Sequence, residues 1–356
     1  MPRLGRLRSP LFNDDLAAAQ RRRRIALAVT ALLGLLAFVL GGGNRFTGGP
    51  LFIFIPEVDW IPPLGHQAWQ QAFAIHQQSP KYALCGGYQV GGMESLTVFQ
   101  LLYLWEWARL ISMKLLGLGI VALVALALTD ALRMRSGRGF VALAAVLIAA
   151  YAVLRGLADH AGLFATINIG QHRHAVDVTF ASLAVALLLA ACFETPRNGF
   201  AFGRTAWAVM IGLDIAFGAL FEATDAGVVW RTFPGYGDGI LPPLDRLFAL
   251  HPAWRNFTEN VYLIQACHRL LSFTLWFAAL AAALSAWWGD RPWRRHALLF
   301  ALLTFDAALG VATLTLGMSV TLSVVHQVCA VFVLAAALSL PGRFHSPSPV
   351  WATRSP

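Results

Sequence analysis

Residues 256 to 276 read NFTENVYLIQACHRLLSFTLW, a run with the composition of a membrane-crossing helix except at its middle, where His268 and Arg269 follow Cys267. A histidine and a guanidinium inside an apolar segment are costly to keep, and such residues mark a function or a dedicated partner. That reading depends on the rest of the chain lying in a bilayer. Of 356 residues 58% are apolar and 13% charged, which places the chain among integral membrane proteins. Apolar stretches lie near 25–41, 110–129, 139–157, 174–193, 205–222, 259–287, 297–316 and 319–340. Each is about 17 to 29 residues, enough to cross roughly 30 Å of hydrocarbon as a helix. The expectation is an all-α membrane protein with eight transmembrane helices in contact with lipid.

Arg21 to Arg24 precede the first span as the basic part of a signal peptide would. No small-residue cleavage site follows, so the span is read as a retained anchor. Most of the arginines, among them Arg3, Arg6, Arg8, Arg133, Arg135, Arg138, Arg197, Arg204, Arg291, Arg294, Arg295, Arg343 and Arg354, gather on one side of these spans. Arg45, Lys81, Arg231, Arg246 and Arg255 fall on the other. The positive-inside rule then places both termini in the cytoplasm, as for a multi-pass protein of a bacterial inner membrane. The net charge of +9 is accounted for by this topology, and no nucleic-acid-binding element is present in the sequence.

The outer segments 42–97 and 223–258 are long and rich in Gly, Pro and Trp, so chemistry or docking is expected on the outer side. The cysteines are Cys85, Cys192, Cys267 and Cys329, with no C-x-x-C and no C-x-x-C-H, which excludes zinc ribbons and covalent c-type heme attachment. Only Cys85 lies in an outer loop, so no disulfide is expected there. The order of spans and loops over 25–193 recurs over 205–340, which suggests two pseudo-symmetric four-helix bundles. The expected organisation is a basic N-terminus (1–24), an N-terminal half (25–195), a linker PRNGFAFGR (196–204 within its run), a C-terminal half (205–341) and a tail (342–356).

His268 has a counterpart in His326, within SVTLSVVHQVCAVF. They sit about nine and about seven residues in from the outer ends of their spans, so the two imidazoles share a depth. Two imidazoles at one depth suit an octahedral metal with two open axial positions, as in a porphyrin iron, whereas zinc needs more ligands. On this reading His268 and His326 are metal ligands, Arg269 offers a cation to a heme propionate, and Cys267 and Cys329 are small packing residues. The bland alternative is that both histidines hydrogen-bond neighbouring helices.

The runs ATDAGVVWRTFPGYGDGILPP (223–243), NFTENVYLIQACHR (256–269) and LGVATLTLGMSVTLSVVHQ (309–327) resemble the second half of the heme A synthase family. A D-A-G segment, a T-F-P loop, an E-N-V with Q and H-R, and a late H-Q occur there in that order. The first half is similar to the mitochondrial and proteobacterial branch more loosely. It carries GGGNRFT at 41–47, PEVDWIPPLGHQAWQQAFAIHQQSPKY at 56–82, and the acidic residue of WEW at 105–107. The resemblance covers roughly residues 25 to 340.

It implies that the C-terminal half holds a heme B cofactor and that the N-terminal half receives heme O and oxidises its methyl group to the formyl of heme A. This would serve cytochrome oxidase, with heme O synthase and oxidase assembly factors as partners and a homo-oligomer possible in principle. Glu106 would be the catalytic acidic residue near the reacting carbon. The chain departs from the family where its N-terminal heme ligands belong: Arg109 stands three residues after Glu106, and Asp177 four after Arg173. Neither is a usual axial ligand. Arg109 is spaced to pair with Glu106 on a helix face, Lys114 being a further partner within reach. His172 and His174 lie nearby, His174 one turn outward of Asp177, and His160 is in the preceding turn. A shifted ligand at His174 would give the iron one axial histidine. The readings left open are a divergent heme A synthase, a non-catalytic heme B-binding paralogue, and a transporter, for which the interrupted helices of a midplane site are missing.

Overall fold

A computed structural model describes residues 10–46, 59–78, 96–129, 138–160, 170–192, 202–289 and 293–340. The long elements are α1 (Pro10–Phe46), α2 (His66–Gln77), α3 (Leu96–Thr129), α4 (Arg138–His160), α5 (Gly170–Cys192), α6 (Phe202–Ala223), α7 (Val261–Trp288), α8 (Trp293–Thr315) and α9 (Val320–Leu338). Among the described residues, seven helices are long and apolar enough to cross a membrane: α1, α3 and α5 to α9. The span expected at 139–157 falls in α4, whose apolar window among the described residues is only Val141–Ala150. Of the eight spans expected, seven are thus found among the described residues.

The second span also differs in where it starts. It was expected at 110, after the charges of Glu106 and Arg109, yet α3 runs unbroken from Leu96 and its apolar segment from Leu96 to Leu126. The reason is that Glu106 and Arg109 satisfy each other: Arg109 Nε donates to Glu106 Oε2 at 2.8 Å and Nη2 donates to Oε1. An internally paired acid and base cost an apolar helix far less than either does alone.

The described chain clusters into two units, Met1–Ala142 and Leu143–Pro356. Their boundary precedes the linker expected at 196–204, most of which lies outside the described residues. In the first unit α1 packs along α3. At Gly119 the Thr30 side chain of α1 lies so close that an added Cβ would be 2.7 Å from its Oγ1, the small-residue approach by which helices associate in lipid. Trp105 of α3 donates its indole N–H to the Leu40 carbonyl of α1 at 3.0 Å. α2 lies against the start of α3 through an aromatic cluster, with Trp69 on Tyr103 at 5.2 Å and Phe73 on Phe99 at 5.0 Å between ring centroids. Edge-to-face contact of this kind adds to simple burial.

In the second unit α6, α7, α8 and α9 form a closed ring, each packing on the next and α9 returning to α6. α5 lies along α6 and α9. Its residues Ala184 to Leu188 are buried, as are Ala190 and Ala191. The small side chains allow the close approach that binds helices where lipid offers no hydrophobic drive. Two of the arginines assigned to the cytoplasmic side find a purpose at the end of α9. Arg295 donates to the Ser339 carbonyl at 2.6 Å and Arg204 to the Leu338 carbonyl at 3.5 Å. Cations there satisfy the last carbonyls and suit the negative end of the helix dipole.

Candidate functional site

The helix that opens the sequence reading, α7, is fastened at its start by asparagines. The Asn260 side chain accepts from the backbone N–H of Tyr262 at 3.0 Å and of Leu263 at 3.4 Å, capping the helix. Its amide donates to the carbonyls of Arg246 at 2.8 Å and Leu247 at 3.2 Å, and to Asn256 Oδ1 at 3.0 Å. Asn256, wholly buried, donates to the carbonyls of Leu250 and Ala253 and accepts from the Leu250 N–H. The N-F-T-E-N segment thus stitches the helical turns Leu244–Leu247 and Ala253–Arg255 to the head of α7. Arg255 beside the half-buried Glu259 holds that carboxyl below the usual carboxylate range.

Asn260→Ala removes a cap, worth about 1 kcal/mol, and strands buried backbone groups at about 1–3 kcal/mol. The expected destabilisation is therefore about 2–4 kcal/mol, read as a lowered thermal midpoint of the detergent-purified protein. An unchanged midpoint would show that the asparagine stitching is dispensable.

One turn further along α7, Gln265 donates to the Trp230 carbonyl at 2.8 Å. Arg269, expected from the sequence beside a propionate, reaches the outer segment. Its Nη1 donates to the Gly235 carbonyl at 2.7 Å, and its Nη2 to the carbonyls of Thr232 at 2.9 Å and Trp230 at 3.2 Å. The guanidinium also lies 4.6 Å from the centre of the Tyr236 ring. Burial pushes the Tyr236 hydroxyl up, and the nearby Arg269 charge opposes that shift. Thr232 Oγ1 accepts from the Gly237 N–H at 2.8 Å, at a φ of +67° that favours glycine. The T-F-P-G-Y-G segment is therefore a turn hung from α7 by an arginine.

His268 and His326 meet inside the ring of α6 to α9, with imidazole centroids 6.5 Å apart and planes at 66°. Each is held in the same way. His268 Nδ1 lies 2.9 Å from Asp214 Oδ1 on α6, and His326 Nδ1 lies 2.8 Å from Asp306 Oδ1 on α8. Four residues beyond each aspartate stands a glycine where a Cβ would press on the ring. From Gly218 it would lie 3.2 Å from His268 Cε1, and from Gly310 it would lie 3.2 Å from His326 Cε1 and 3.3 Å from its Nε2. An aspartate engages Nδ1 on both rings, through its carboxylate at Asp306 and through its backbone carbonyl, with the carboxylate close by, at Asp214, which leaves Nε2 as the nitrogen open to a ligand.

Asp214 and Asp306 were not found from the sequence. A signal was there: DIAFG at 214–218 and DAALG at 306–310 place Asp and Gly at the same spacing, each on the helix preceding a histidine-bearing one. Asp214 additionally accepts from Ser272, whose hydroxyl is 3.1 Å from both carboxylate oxygens.

The remaining candidates are tied up in polar pairs. Glu106 and Arg109 bond each other in the first unit. In the second, Arg173 pairs with Asp177 at 3.8 Å, and His174 Nε2 lies 3.0 Å from Glu222 Oε2. The same Glu222 oxygen accepts from Gln327 at 2.7 Å, linking α5, α6 and α9 through the neighbour of His326. The side chain of His160 lies outside the described residues.

The profile of the COX15-CtaA family, described as cytochrome oxidase assembly protein, matches residues 23–338. The chain belongs to this family. Among the similar COX15-CtaA relatives, a heme A synthase of Methylobacterium sp. (strain 4-46) is 33% identical over 90% of this chain and 92% of its own length. A heme A synthase of Methylobacterium nodulans is 32% identical over 86% and 88%, and one of Sinorhizobium fredii is 31% identical over 94% and 92%. The COX15-CtaA match spans both units and includes both histidines, both aspartates and the Glu106–Arg109 pair.

Proposed function

We propose that this chain is a heme A synthase-type oxidoreductase of a bacterial inner membrane, oxidising the methyl group of heme O to the formyl of heme A for cytochrome oxidase assembly. The observation that carries the reading is the paired His268 and His326, at 6.5 Å between centroids, in a chain whose heme A synthase relatives match it over most of its length. Metal–imidazole bonds of about 2 Å on either side of one metal bring two rings to a separation of that order. The donor set fits as well: two imidazoles, each with Nδ1 already engaged, need only a metal whose other positions are filled by a macrocycle.

His268 and His326 would hold heme B, which when bound supplies the electron acceptance that oxidation of a methyl group requires. Around it the ring of four helices excludes water, and the stitched outer segment 230–260 fixes α7. In the first unit Glu106 is the acidic group for proton transfer at the heme O methyl, and Arg109 orients its carboxylate. Arg173, His174 and Asp177, which the sequence also suggested for the substrate heme, belong to the second unit. Two four-helix halves account for this division of labour, with α4 as the eighth crossing and both termini cytoplasmic. At 23 residues α4 is long enough, since a helix rises about 1.5 Å per residue against roughly 30 Å of hydrocarbon. Reporter fusions at Ser136 and Gly289 should read cytoplasmic and at Gln77 and Gly239 periplasmic, and any reversal would overturn this topology.

A host lacking its own heme A synthase, supplied with heme O synthase and this chain, should yield heme A on chromatography of extracted hemes. Heme O alone would overturn the enzymatic reading in favour of a heme B-binding protein without turnover.

A further inference from the structure

The two aspartates extend this reading to residues that it does not require. Asp214 and Asp306 lie on different helices, yet each presents a carboxylate oxygen to the Nδ1 of a histidine on the next helix, at 2.9 and 2.8 Å. The match extends to the glycine one turn on, which brings the helix backbone against each ring. A structural role needs only an acceptor for Nδ1–H, and a backbone carbonyl would serve. Asp214 in fact offers its own carbonyl to His268 Nδ1 at 3.2 Å. A carboxylate in this place does more, because its charge raises the basicity of the imidazole and so favours the more oxidised state of a metal on Nε2.

We propose that Asp214 and Asp306 are positioning residues that fix the Nδ1–H tautomer of the two axial histidines and hold the bound heme at a low reduction potential. The inference rests on the assignment of His268 and His326 as heme ligands. The two sides are not equivalent. The Ser272 hydroxyl donates to both oxygens of Asp214 and draws off part of the charge that His268 would otherwise receive. Asp306 is met by the Cys329 thiol, a weaker donor than a hydroxyl, which draws off less of its charge. Asp306 is therefore the stronger of the two supports.

Redox titration of the purified full-length protein, followed by the visible spectrum of its heme, tests this. Asp→Asn keeps an oxygen acceptor for Nδ1–H but removes the charge. Asp306→Asn and Asp214→Asn should both retain a low-spin spectrum and move the midpoint to higher potential, Asp306→Asn further. Ser272→Ala should move it the other way, to lower potential. Asp306→Ala, which removes the acceptor as well, should weaken heme retention by about 10–100-fold. Unshifted midpoints in both Asn variants with heme retained would overturn the proposal while leaving the ligand assignment intact. If the Asn variants fail to fold, an unshifted Ser272→Ala midpoint overturns it. A wild-type protein that binds no heme, or one whose spectrum survives His268→Ala, overturns the ligand assignment and this inference with it.

Discussion

Replacing His326 by alanine should abolish the low-spin b-type spectrum of the purified protein, as should His268→Ala, either by loss of the heme or by conversion to a high-spin form. Each ring is met by one aspartate and backed by one glycine, and the loss of either imidazole removes one of the two ligands. His174, the next histidine along the polar set, has its Nε2 turned to Glu222. The wild type should carry about one heme per chain, as a single pair of axial ligands requires. In the host that depends on this chain for heme A, either variant should leave heme O and no heme A. An unchanged spectrum in both single variants would exclude these residues as the ligands.

Glu106→Gln should lower heme A production by about 10²–10⁴-fold, the range for losing a positioned acid or base, while leaving the b-type spectrum of the purified protein intact. The separation is expected because Glu106 belongs to the first unit and the histidine pair to the second. The glutamine keeps an oxygen for Arg109, so loss of the fold does not explain the effect. Glu106→Ala is the harsher change, since it leaves the Arg109 guanidinium without its carboxylate inside an apolar helix. Stability should fall together with activity there. Heme A at the wild-type level in Glu106→Gln would remove Glu106 from the chemistry and reduce the pair to a neutralising device.

The membrane setting and the histidine pair were legible in the sequence because they rest on composition, on span length and on depth counted from the outer ends. The beginning of α3 was not, for a hydropathy reading treats Glu106 and Arg109 as two charges whereas the helix presents one closed ion pair. Arg269 was assigned by adjacency to His268, but consecutive residues on a helix project about 100° apart. One faces the ring of helices and the other the outer segment. Asp214 and Asp306 escaped because a carboxylate on one helix and an imidazole on another, 54 or 20 residues away, are joined only by packing, and the repeated Asp-x-x-x-Gly spacing signals them only when the two helices are compared.

The angular offset between His268 and Arg269 has a mechanical result. A smooth apolar helix in a bundle can turn about its own axis at little cost, since lipid and alkyl side chains grip it without direction. α7 cannot turn freely, because it is keyed at two azimuths: on one side His268 engages Asp214, and on another Arg269 grips three carbonyls. A rotation that carried His268 away from His326 would have to tear Arg269 from the outer segment at the same time. The arginine beside the histidine thereby works like a spline on a shaft, fixing the bearing of the imidazole from outside the ring that contains it.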